Sequence, residues 1–138
     1  MFRDKISIKG LAIGLAFYLI VSTVAMAIVV HAWLPPGITD RNELLLLTES
    51  DYTLLMWQSI LGATLSVFAG FVCCHFSNAT GLKTPLMLGV LFILYGVLGI
   101  YLHPTHPMAM QVGKILGPIP LTLLGGWLRL KLGRQASI

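Results

Sequence analysis

The stretch "PMAMQVGKILGPIPLTLLGGWL", Pro107 to Leu128, decides the fold, and its one charged residue, Lys114, is what makes it hard to read. Broken at Lys114, it leaves only Ile115 to Leu128 uncharged, too short a run for the ~20 residues a helix needs to cross a bilayer. Taken as one helix starting near Pro107, it places Lys114 about 10 Å below the outer edge at a rise of ~1.5 Å per residue. A lysine can snorkel across much of that distance. On that ground the stretch is expected to form a transmembrane helix over 107–129.

The rest of the chain reads more simply. Of 138 residues, 57% are hydrophobic and only 10% charged, against about 25% charged in soluble domains. Gly10 to Thr39, Tyr52 to Leu82 and Thr84 to Gly113 are uncharged runs that each exceed a bilayer's thickness as helix. Spans are therefore expected at roughly 9–34, 52–77 and 84–103 as well, with residues 1–138 forming a single integral membrane domain. The expected fold class is all-α, a four-helix transmembrane bundle.

Charge placement orients that bundle. Arg3, Lys5, Lys9, Lys83, Arg129, Lys131 and Arg134 fall on one side, and Asp40, Glu43, Glu49 and Asp51 fall on the other with Arg41. The positive-inside bias makes the first side cytoplasmic, giving an N-in/C-in topology. The net charge of +4 is thus a topology signal rather than a nucleic-acid footprint. Trp33, Tyr52, Trp57 and Tyr101 mark the outer interface and Trp127 the inner one. A competing reading takes the basic start, the apolar run from Leu11 and Ala25-Met26-Ala27 as a cleaved secretory signal. It is opposed by the apolar continuation through "IVVHAWL", which makes the segment long enough to span.

Between the first two spans, "PPGITDRNELLLLTESD" (Pro35 to Asp51) opens with helix-stopping prolines. Asp40 followed by Glu43 then offers a capping-box-like start. A short helix on the outer interface is expected there, with an ordinary connecting loop as the alternative. Asn78-Ala79-Thr80 has the form of a glycosylation acceptor but sits on the cytoplasmic side, where it reads as turn chemistry.

Small residues recur at helical spacing: Gly10 and Gly14; Gly62, Ser66, Gly70 and Cys74; Gly113 and Gly117. Such faces let backbones approach closely, within one chain or between chains. They point to a structural or accessory subunit acting through helix packing, with a homo-oligomer or another membrane protein as partner alongside the lipid bilayer. The alternative is a small transporter or channel component. Here Lys114 lies beside a helix broken at Gly117, Pro118 and Pro120, because prolines at 118 and 120 free the carbonyls of Lys114 and Leu116. No acidic residue falls inside any expected span, which argues against a small multidrug transporter carrying its glutamate in the first helix.

"HPTHPMAM", His103 to Met110, occupies the outer turn before the fourth span. With His31 it offers a copper site of His31, His103, His106, Met108 and Met110, imidazole and thioether together suiting that metal. The structural alternative is a proline-bound turn with methionines filling the helix start. Cys73-Cys74-His75 lacks both redox spacing and a full zinc set, so the cysteines read as buried small residues. No nucleophile with a matching base, carboxylate pair or phosphate loop is found, and no enzyme is expected. A catalytic site would have to lie at the outer surface on His103, His106, Glu43 or Asp51.

"LSVFAGFVCCHFSN" (Leu65 to Asn78), "LMLGVLFILYGVLG" (Leu86 to Gly99) and "GPIPLTLLGGWLRLK" (Gly117 to Lys131) resemble a loose class of small, uncharacterised bacterial four-helix inner-membrane proteins. The resemblance covers mainly residues 61–131. It implies a four-helix membrane fold and supplies no catalytic residues to carry over.

Overall fold

The computed structural model describes residues 5–77 and 80–135. They form six helices: α1 (Ile8–Trp33), α2 (Arg41–Ser50), α3 (Tyr52–Ser77), α4 (Lys83–Leu102), α5 (Met108–Leu116) and α6 (Pro118–Gln135). Arg3, Asp4, Asn78 and Ala79, and with them most of the Asn78-Ala79-Thr80 turn, lie outside the described residues.

Local chemistry sets the helix ends. Ser7 caps α1 by accepting a hydrogen bond from the Gly10 amide at 3.1 Å. Ser7→Ala is expected to lower stability by about 1 kcal/mol, seen as a melting shift of a few degrees. At the other end α1 stops at Leu34, before Pro35 and Pro36, and Gly37 takes a left-handed φ of 111° that glycine adopts without penalty. Asp40 caps α2 through the Asn42 amide at 3.1 Å, so the short segment between the first two long helices is helical as expected. Asp51 caps α3, its Oδ1 accepting from the amides of Thr53 and Leu54, while its Oδ2 accepts from Trp33 Nε1 at 2.8 Å. That last bond ties the end of α1 to the start of α3.

The all-helical expectation holds, but the four-helix transmembrane bundle does not. Among the described residues three helices, α1, α3 and α4, are long and apolar enough to cross a membrane. The stretch 107–129 is not one helix. It breaks at Gly117 into the nine-residue α5 and a separate α6. Pro118 has no amide hydrogen to donate to the Lys114 carbonyl, and Pro120 has none for Leu116, so the hydrogen-bond ladder loses two rungs here, although Gly117 keeps helical angles and its carbonyl accepts from the Leu121 amide at 3.2 Å. Nine residues rise only ~14 Å, less than half of the ~30 Å hydrocarbon core. α6 carries Arg129, Lys131 and Arg134 in its second half. Counting uncharged letters joined two helices that proline separates.

Helix α3 is the centre of the assembly, packing most extensively against α6 and α1, and α6 also packs along α4. Ala69, Cys73, Leu88 and Phe92 form the core, with Leu11, Leu15, Phe17 and Tyr18 against it. The approach is close enough that several positions have no room for a side chain. A Cβ on Gly10 would lie 2.6 Å from Ser77 Cβ, and one on Gly14 2.8 Å from Cys73 Cβ. At Gly70 it would collide with the Thr122 carbonyl, and at Gly125 with the Val67 carbonyl. Close packing of this kind holds helices together in lipid, where burial of apolar surface supplies little drive.

These contacts also give direction. Gly10 lies against Ser77, Gly126 against Pro85, and Arg129 Nε donates to His75 Nδ1 at 2.9 Å. The start of α1, the end of α3, the start of α4 and the end of α6 therefore share one end of the bundle. Lys5, Lys9, Lys83, Arg129, Lys131 and Arg134 belong to these segments. The outward surface of α1 is apolar, with Ile20, Val24 and Ile28 all exposed. A contiguous apolar surface of this kind marks a face for a membrane or another protein.

Candidate functional site

Polar chemistry collects at the opposite end, where α4 stops and the chain turns through His103-Pro104-Thr105-His106-Pro107 into α5. The turn is held from inside: Gln111 Nε2 donates to the carbonyls of Pro104 at 3.1 Å and His106 at 3.0 Å. As a result the two imidazoles stack, with ring centroids 5.3 Å apart and planes within 9°.

From α2, Glu49 reaches across to this turn. Its Oε1 lies 2.8 Å from His103 Nδ1 and its Oε2 accepts from Thr105 Oγ1 at 3.5 Å. A carboxylate only accepts, so His103 carries its proton on Nδ1 in this arrangement. From α5, Lys114 Nζ donates to His106 Nδ1 at 2.9 Å. An ammonium only donates, so His106 presents a lone pair on Nδ1. His106 is buried, and burial, reinforced by the charge of Lys114 and by His103, lowers its pKa; Glu49 opposes the shift. His106 is accordingly neutral at pH 7.

Below this cluster a cleft of about 1070 Å³ opens among α1, α3, α4 and α5, with α2 at its rim. Glu49, His103, His106 and Lys114 line its mouth, and Tyr18 and Ser66 lie deeper, where the Tyr18 ring packs on Phe92 at 4.3 Å. Lys114 can occupy this wall because α5 lies tight on α4. A Cβ on Gly96 would sit 2.6 Å from the Lys114 carbonyl oxygen, the same oxygen that Pro118 leaves without a helical partner.

The residues singled out in the sequence are distributed unevenly around this site. Lys114, Gly117 and Pro118 line the cleft, whereas Pro120 is not among its lining residues. His103 and His106 come together. His31 is exposed on the last turn of α1, Met108 is exposed on the first turn of α5, and Met110 lines the cleft. Glu49, which the sequence presented only as an outer-side charge, is the residue that joins the two histidines. No local pattern could have announced it, because 54 residues separate it from His103.

Other candidates have structural occupations. Cys73 and Cys74 are buried free thiols in the core of α3, and His75 accepts from Arg129. Asp51 is held by Trp33 and the α3 cap, and these hydrogen bonds lower its pKa, Trp33 foremost. Glu43 stands in the first turn of α2. Of the packing residues, Gly10, Gly14 and Gly70 meet their own chain, and Ser66 Oγ donates back to the Gly62 carbonyl at 2.7 Å. Gly62 faces the Tyr18 hydroxyl at 3.7 Å, Gly117 faces the Gly113 carbonyl, and Gly113 has open space around it.

The chain matches no protein-family model, no curated protein and no solved structure. Its site is therefore read from its own geometry.

Proposed function

We propose that this chain is a small integral protein of a bacterial inner membrane that admits a small polar solute from the outer face into its helix-lined cleft, as a transporter or channel component. The observation that carries this reading is the orientation of Lys114, which turns inward to His106 on the wall of the cleft. His106 is only 8% exposed, so the ammonium ends on a buried partner in the cleft wall rather than among headgroups. A broken helix beside an intramembrane charge is a recurring way to build a polar site at depth. The glycine faces support the same choice: most of them touch their own chain, which leaves little for an accessory role through those residues.

In this reading the lysine- and arginine-rich end of the bundle faces the cytoplasm, by the positive-inside bias, and the Glu49–His103–His106–Lys114 end faces outward. The end of α6 reaches that same cytoplasmic side because α5 and α6, neither of them a candidate span alone, together run from the outer turn to the end of the bundle that holds His75 and Pro85.

Cysteine accessibility tests the reading directly. In a Cys73→Ala/Cys74→Ala background, Lys114→Cys is expected to react with a membrane-impermeant maleimide added outside right-side-out vesicles. Its rate should approach that of Thr105→Cys on the outer turn and far exceed that of Ala69→Cys in the core. Lys131→Cys should stay unlabelled until the vesicles are opened. Labelling at position 114 no faster than at position 69 would show that water does not reach the cleft wall and would sink the reading.

A further inference from the structure

The polar cluster at the cleft mouth has the composition of a cation site, and the inference drawn from it rests on the reading above and names the class of solute. We propose that Glu49, His103 and His106 bind one divalent transition-metal ion of the Zn²⁺ class, in exchange for the ammonium of Lys114.

One ligand atom from each of the three residues lies within 4.8 Å of the other two. Glu49 Oε1 and His103 Nδ1, 2.8 Å apart, already stand at the separation of two donors on one ion. Bonds of ~2.0–2.1 Å place two donors on one ion about 3 Å apart, so only the third group has to move in, by up to about 2 Å from its place within 4.8 Å of the others. The surroundings are those of a supported site. Thr105 holds the second oxygen of Glu49, and Gln111 fixes the backbone on both sides of Thr105. Partners outside the ligand set orient ligands in this way.

The proton inventory also closes. When the ion arrives, the His103 proton moves from Nδ1 to Nε2, and Nδ1 and the Glu49 carboxylate present lone pairs. His106 already presents its Nδ1 lone pair to a cation, since Lys114 sits on it at 2.9 Å. A divalent ion takes over that lone pair, Lys114 releases it, and no bond to carbon is made or broken. The ammonium thus acts as a resident cation that holds the site when no metal is there. Two imidazoles and one carboxylate, with remaining positions open to the cleft, suit Zn²⁺ and neighbouring divalent ions rather than Cu(I). His31 stands outside this set and Met108 is 80% exposed, so neither is required.

The test uses the full chain, purified without a polyhistidine tag, stripped with a chelator and titrated with Zn²⁺ against a chromophoric competitor. One site per chain is expected. Glu49→Gln, an isosteric change, and His103→Gln should each weaken it at least about tenfold, and the pair together about a hundredfold or more, while His31→Ala leaves it unchanged. Lys114→Met carries the distinctive signature: removing the competing charge should tighten Zn²⁺ about tenfold or more. Melting curves of the Glu49→Gln and Lys114→Met proteins establish that each is folded. Zn²⁺ binding by the wild type that equals binding by the His103→Gln/His106→Gln variant would overturn the proposal, as would Lys114→Met weakening it. The two readings fail separately. Zn²⁺ bound at this site but never carried into liposomes upholds the metal site and removes the transport reading. Fast labelling at position 114 without Zn²⁺ binding removes the metal site alone.

Discussion

Gly125→Leu is expected to yield little or no folded protein. The side chain would start where the Val67 carbonyl already stands, with the Phe71 amide nitrogen 2.8 Å from its Cβ. Both neighbours are backbone of α3, the central helix, and neither can step aside as a side chain would. Relief requires α6 to move off α3, which also breaks the contact of Gly70 with Thr122 and exposes the buried Thr122 hydroxyl. Overpacking against a yielding neighbour costs about 1–3 kcal/mol. Here the cost should exceed the upper figure and approach the whole stability of a small domain, about 5 kcal/mol or more. Size-exclusion chromatography in mild detergent is the measurement: the variant should run as aggregate or be degraded in cells, and even Gly125→Ala should melt well below the wild type. A monodisperse Gly125→Leu protein with a wild-type melting curve would mean that α6 does not pack on α3 as described.

Gly96→Val should separate folding from function. Its Cβ would lie 2.6 Å from the Lys114 carbonyl oxygen and 3.3 Å from the Lys114 Cβ, so the pressure falls on α5 rather than on the α3–α6 core. α5 is short and packs less extensively than α6, so it can shift at a cost of about 1–3 kcal/mol. The protein is expected to stay folded. Lys114 would no longer meet His106 at 2.9 Å, and labelling at position 114 and Zn²⁺ affinity should each change about tenfold or more. Gly99→Ala, one turn away with open space around it, is the matched control and should alter neither. Unchanged site chemistry in Gly96→Val would show that α5 does not take its position from α4.

The three long helices were legible because an uncharged run of sufficient length has few other uses. The α2 start was legible for a local reason, Asp40 followed by Glu43, and the structure shows Asp40 as the cap. The break at Gly117 was legible in its chemistry but misjudged in its reach. The freed carbonyls followed directly from Pro118 and Pro120, yet hydropathy counting gives a proline no power to end a span, so 107–129 was counted as one crossing even with the break in view. The direction of Lys114 could not be decided locally, because it depends on where His106 stands after a turn of the chain. The Glu49–His103 contact was illegible for a plainer reason: it joins α2 to the end of α4, and nothing in either segment's pattern refers to the other.

The parallel seam between α3 and α6 bears on how the protein is made. α6 leaves the ribosome after the five helices before it, yet its backbone fills the small-residue face at the centre of α3. Until Thr122 and Gly125 arrive, that face has only lipid or a foreign helix against it. Contacts so distant in sequence form late and extend the time an incomplete chain is exposed. Assembly of this seam therefore waits for α6, and a membrane protease that recognises unfilled helix faces has until then to act.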